Sequence, residues 1–225
     1  MSPLEIILVC VLAVGISVSV IFLLVINANR SNRIDLFHAI NHSAITGQSV
    51  FFGDSLTDFF PISEFFPGKI IYNRGITGDT TDELLARIDT VTSLRPKTVF
   101  LQIGTNDLNK NRRPTTIVHK IMHITDKLKA DLPEVKIHVI SLYPISRNRK
   151  ILSVFTCQLR TNKNIDMTNA LLRNACEKKG LSFIDIHPLL ATPGGSLKNE
   201  YTIEGLHLSE RGYEVVAKAL KPYLD

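Results

Sequence analysis

The feature that most constrains this chain is a strict alternation of short apolar runs with amphipathic segments. Five runs read SVFF (49–52), KIIYN (69–73), TVFLQIG (98–104), KIHVISLY (136–143) and LSFIDIHPLL (181–190). Continuous apolar runs of this length suit strands buried on both faces. Helical patterns separate them. Thr80 to Glu83 has the form of a capping box, with Leu84, Leu85, Ile88 and Val91 on one face. Pro114 opens a second helix with Ile117, Ile121, Ile124 and Leu128 as its stripe. A third is expected from Ile165 to Lys179, ending at Gly180, and a last after Ser209 as N-cap. Strand and helix alternating in this way predict one parallel sheet covered by helices on both faces.

Three further stretches complete the organisation. Residues 6–26 (IILVCVLAVGISVSVIFLLVI) carry no charge. At about 1.5 Å per residue they reach roughly 30 Å, enough to cross a bilayer. No Lys or Arg precedes the run and Ile26-Asn27-Ala28 is a poor cleavage site, so an uncleaved anchor is expected over a signal peptide. Arg30 and Arg33 after the run lean towards a cytosolic C-terminal part, and the side stays open. The expected division is an anchor (1–27), a polar connector (28–47) with a short helix over 34–40, and one α/β domain (48–225). The segment 144–164 reads as a long, basic, irregular loop near the active edge of the sheet. The net charge of +5 is modest and its Lys and Arg are scattered, which argues against nucleic-acid binding. The three cysteines form neither a disulfide framework nor a CxxC metal pattern.

Ligands of open parallel sheets gather at the carboxyl ends of the strands. There the chain places Gly53-Asp54-Ser55, then Asn73-Arg74-Gly75, then Gly104-Thr105-Asn106-Asp107, with Glu204 and His207 just before the last helix. As parts for acyl transfer they form a consistent set. Ser55 is the nucleophile and His207 the base that takes its proton. Glu204, three residues before His207, can orient the imidazole. The Ser55 and Gly75 N–H groups and the Asn106 side-chain amide can stabilise an oxyanion. Asp54 and Asp58 support the Ser55 loop by hydrogen bonds. Phe51 and Phe52 belong to the core; Phe59, Phe60, Phe65 and Phe66 are read as packing under a loop in preference to lining an acyl pocket. Asp185 is read as structural.

These residues resemble the SGNH (GDSL) hydrolases, a superfamily of serine esterases and lipases. Their four named residues match Ser55 in GDSLTD, Gly75 in NRGITGDT, Asn106 in GTND and His207 in GLHLS, and the similarity spans about 48–225. The motifs look most like the platelet-activating-factor acetylhydrolase and lysophospholipase-like branch. The resemblance implies a flavodoxin-like three-layer α/β/α sandwich with a sheet of about five strands, a small-molecule or lipid ester as substrate, and neither metal nor organic cofactor. One departure stands out: the usual Asp-x-x-His is here Glu204-Gly205-Leu206-His207. A membrane-anchored, non-catalytic binding module on the same fold is the alternative that this departure motivates. A flavin or phosphate binder lacks its GxGxxG or GxxxxGK[ST] motif.

Overall fold

Strands β1 (Ser49–Gly53), β2 (Ile71–Gly75), β3 (Thr98–Gln102), β4 (Lys136–Ile140) and β5 (Ser182–Ile184) pair in parallel in the order β2-β1-β3-β4-β5. That is the strand order of flavodoxin-like sheets. The computed structural model describes residues 2, 28–148 and 150–224. The expected anchor over 6–26 therefore lies outside the described residues. Among the described residues no helix is long and apolar enough to cross a membrane. The chain divides into two compact units, Met1–His42 and Ser43–Asp225. In the first, residues 28–41 are helical, a longer helix than the expected 34–40. No Gly or Pro interrupts 28–41, so nothing in that stretch stops the helix early.

In the second unit, β1 lies between β2 and β3, and every residue of β1 and β3 is buried. Alternate side chains of the central strands enter two separate cores. Val50, Phe52, Val99 and Leu101 pack with Leu84, Ile117, Ile121 and Leu172 on one face. Phe51 and Phe100 pack with Phe60, Tyr213, Val216 and Leu220 on the other. The helices that position the site are α1 (Ser55–Asp58), α2 (Thr81–Ala86), α3 (Thr105–Asn109), α4 (Pro114–Asp131), α5 (Lys150–Cys157), α6 (Asn162–Lys178) and α7 (Glu210–Leu220). Ser209 caps α7, its hydroxyl accepting from the Gly212 N–H, and Gly180 follows α6 at φ +64°.

Two helical expectations change. The helix expected through Val91 breaks into α2 and a short turn at Asp89–Thr92, with Arg87 between them. The Arg87 guanidinium is buried and turned under the sheet edge. The segment 144–164 is not mostly irregular: it holds α5 and the start of α6. No Gly or Pro occurs between Pro144 and Gly180, and α5 buries Ser153 and Cys157, four residues apart, on one face.

The parallel register sets Gly53 level with both Gly75 and Gln102. The three segments that leave β1, β2 and β3 therefore start side by side, around the point where strand order reverses.

Candidate active site

Asp54 ends the buried run of β1 and caps α1, its Oδ1 accepting from the Leu56 N–H at 3.0 Å. The carboxyl is fully buried and Oδ2 has no hydrogen-bond partner among the described residues. Burial pushes it up to about 7. The next residue, Ser55, begins α1, which sits directly on β2. A Cβ at Gly75 would lie 2.2 Å from the Asp58 nitrogen, so only glycine allows this approach. Asn73 joins the two elements: its Nδ2 donates to the Thr57 carbonyl at 2.7 Å and its Oδ1 accepts from the Gly75 N–H at 2.8 Å. The Gly75 N–H thus already has an acceptor, which its motif did not reveal. Asp58 accepts from the Thr77 N–H and hydroxyl at 3.2 and 2.8 Å, bracing the loop after β2.

From the far end of the chain, His207 comes to the same edge. Its Nε2 lies 3.0 Å from the Ser55 Oγ. Its Nδ1 lies 2.6 Å from Glu204 Oε1, and the same oxygen accepts the His207 backbone N–H at 2.9 Å. The extra methylene of glutamate is taken up by this fold-back. The loop is tightly determined. Thr202 Oγ1 donates to the His207 carbonyl and accepts from the Gly205 N–H, both at 2.8 Å. Gly205 has φ +106°, and a Cβ there would meet the Ser146 carbonyl oxygen at 2.1 Å. The Ser146 N–H in turn donates to the Gly205 carbonyl at 2.8 Å. A hydroxyl, an imidazole and a carboxylate thus stand in series. Such a series can move the hydroxyl proton onto Nε2 while the carboxylate holds the Nδ1 proton.

Asn106, in the first turn of α3, completes the edge. Its Nδ2 donates to the Asp79 carbonyl at 3.0 Å, and its Oδ1 accepts from Arg160 at 2.6 Å. Asp79 is itself anchored: Arg87 Nε donates to its carboxylate at 2.6 Å, with both side chains almost wholly buried. The Arg87 guanidinium also donates to the Arg74 and Gly53 carbonyls, at 2.9 and 3.0 Å. It thereby ties together the ends of β1 and β2. Arg87 had a sequence signal, since it stands on the apolar stripe between Leu84 and Val91. Arg160 had none, being one cation in a polar stretch.

The other expectations sort by burial. Phe51 and Phe52 are core, and Phe60 and Phe66 are buried as packing residues. Phe59 differs: it is half-exposed, with its ring centroid 5.1 Å from that of His207. Asp185 pairs with Arg173 away from this chain of groups. Among the described residues no cluster of His, Cys, Asp and Glu could hold a metal ion.

Comparison with known proteins identifies the family. Residues 51–215 match the model of the GDSL-like lipase/acylhydrolase family. Platelet-activating factor acetylhydrolase IB subunit alpha1 of Rattus norvegicus is 28% identical over 183 residues, covering 78% of this chain and 74% of the relative. A Streptococcus pneumonia structure, provisionally described as a platelet activating factor, is 29% identical with a TM-score of 0.84, covering 95% of this chain and 99% of that one. A GDSL-like lipase from Bacteroides thetaiotaomicron shares the fold at 20% identity and a TM-score of 0.75, covering 85% and 96%.

Proposed function

Because the chain belongs to the GDSL-like lipase/acylhydrolase family and is an ester-bond hydrolase, we propose that it cleaves its ester through an acyl-enzyme on Ser55. The observation that carries this reading is the unbroken series from Ser55 Oγ to His207 Nε2 at 3.0 Å and from Nδ1 to Glu204 at 2.6 Å. Ser55 Oγ attacks the ester carbonyl carbon as its proton passes to Nε2. The imidazolium that forms is stabilised by the Glu204 carboxylate. Collapse of the tetrahedral intermediate breaks the bond to the alcohol oxygen, which takes the proton from Nε2. Water then repeats the sequence against the acyl-serine, releasing the acid and restoring Ser55.

The oxyanion needs donors already in place. Asn106 Nδ2 carries two protons and the Asp79 carbonyl takes one, so the other serves the oxyanion. The Ser55 N–H, first in its helix, has no intrahelical acceptor. The Gly75 N–H contributes by sharing between the oxyanion and Asn73.

Two features support a substrate class. The acetylhydrolase relatives favour a short acyl group. Phe59 beside the imidazole, with exposed Ile203 in the His207 loop, favours an apolar alcohol or lipid portion. We also infer from the uncharged run 6–26 that the chain is held at a membrane by one N-terminal span. Removal of residues 1–27 should then release it from the membrane fraction.

A fluorophosphonate probe should label the wild-type protein on Ser55, and Ser55→Ala should lose both labelling and cleavage of p-nitrophenyl esters. Ester cleavage by the wild type that survives Ser55→Ala would overturn the mechanism.

A further inference from the structure

Arg160, just beyond α5, holds the oxyanion side of the site although the mechanism above gives it no step. It is 4% exposed, and each edge of its guanidinium is occupied. Nε donates to the Thr105 carbonyl at 2.9 Å, Nη1 to the Thr156 carbonyl at 3.0 Å and Nη2 to Asn106 Oδ1 at 2.6 Å. Two of these three acceptors are Asn106 itself and the residue before it.

A side-chain amide can face either way, and its partners decide which. A guanidinium only donates, so it selects the oxygen. The Asp79 carbonyl only accepts, so on the opposite side it selects the nitrogen. The two agree, and the amide is locked with Nδ2 turned away from Arg160. Without the guanidinium the amide is held by one hydrogen bond and can rotate, turning an oxygen lone pair towards a developing anion. The same cation faces Asp54, where its charge opposes the burial that raises that carboxyl. Thr156 links this support to the other half of the site, because its hydroxyl donates to the Glu204 carbonyl at 3.1 Å.

We propose that Arg160 is a positioning residue for ester hydrolysis, acting through Asn106 by fixing the amide orientation that donates to the oxyanion. The proposal rests on the reading of Asn106 as an oxyanion donor. An interaction realised in the transition state appears in kcat more than in KM. Loss of a single oxyanion donor costs about 100- to 1,000-fold in kcat, and loss of its orientation should cost part of that, about 10- to 100-fold.

The test is a double-mutant cycle on p-nitrophenyl acetate with the full chain, reading kcat and KM separately. Arg160→Ala should lower kcat with KM little changed. In an Asn106→Ala background the same substitution should lower kcat no further than about 2-fold, since the group it positions is gone. Arg160→Lys keeps the charge near Asp54 but cannot span three acceptors, so its kcat should stay low. Methylguanidinium should partly restore kcat in Arg160→Ala and not in the double variant. Full multiplication of the two losses, wild-type kcat in Arg160→Lys, or wild-type kcat in Asn106→Ala would overturn the proposal. So would failure of both Arg160 variants to fold, which would make Arg160 a folding residue alone. A Ser55→Ala variant that still cleaves ester would instead overturn the acyl-enzyme reading, whatever the cycle gives.

Discussion

Replacing Glu204 with aspartate, the residue usual before this histidine, should impair the enzyme. Aspartate is shorter by one C–C bond, about 1.5 Å. Glu204 Oε1 now stands 2.6 Å from His207 Nδ1. With the backbone unmoved, the oxygen would retreat to about 4 Å. At an effective dielectric constant of about 20, the attraction between the carboxylate and the imidazolium then falls by about 2 kcal/mol, or roughly 30-fold in kcat. The backbone has little room to compensate. Gly205 already stands at φ +106° and faces the Ser146 carbonyl with no space for even a Cβ, while Thr202 holds the loop from both sides. Initial rates on p-nitrophenyl acetate for wild type, Glu204→Asp and Glu204→Gln measure the effect. Circular dichroism checks that each variant is folded. Aspartate at or above wild-type kcat would refute this account, because the loop would then be free to follow the shorter side chain. Strong activation from an inactive wild type would mean that the native site is not a working triad.

Two further outcomes follow from buried and exposed neighbours of the site. Asp54 stays protonated in the fold up to about pH 7 but ionises near its ordinary 3.8 when unfolded, so the folded state binds the extra proton between those values. Stability should therefore fall as pH rises through that window and level off above it. Asp54→Asn keeps the cap on Leu56 and should flatten the dependence, so its Tm advantage over wild type should grow from pH 4 to 7; a constant difference would reject this. Phe59→Ala removes a half-exposed ring beside His207. It should raise KM several-fold for longer-chain p-nitrophenyl esters while leaving the acetate almost unchanged, corresponding to about 1 kcal/mol of lost apolar contact; an equal effect on all chain lengths would place Phe59 outside the substrate path.

Local pattern carried the reading of this protein as far as each residue's own neighbourhood. Buried runs announce strands because both faces must be apolar, and Ser209 and Thr80 announce helix starts because the first N–H groups need acceptors. The set Ser55, Gly75, Asn106, Glu204 and His207 was nameable because each stands where an apolar run or a cap signal ends. The helix α5 has no apolar stripe to announce it in its described part, where Ser153 and Cys157 are buried while Val154 and Phe155 face outward. The hydrogen bond from Gly75 to Asn73 was invisible because it depends on how α1 settles on β2.

The linear order of residues thus decided the alternation of strands and helices, the groups available for chemistry, and glutamate where aspartate is usual. Pairing five strands in the order β2-β1-β3-β4-β5 decided that those groups meet, because parallel register brings the strand ends level. It also decided that Arg87 and Arg160 turn inward. A buried guanidinium is tolerable only where several acceptors converge on it. Convergence of acceptors is a property of the assembled edge, since Gly53 reaches Arg87 from one strand end and Arg74 and Asp79 from the next, while Thr105 and Asn106 reach Arg160 from about 50 residues away.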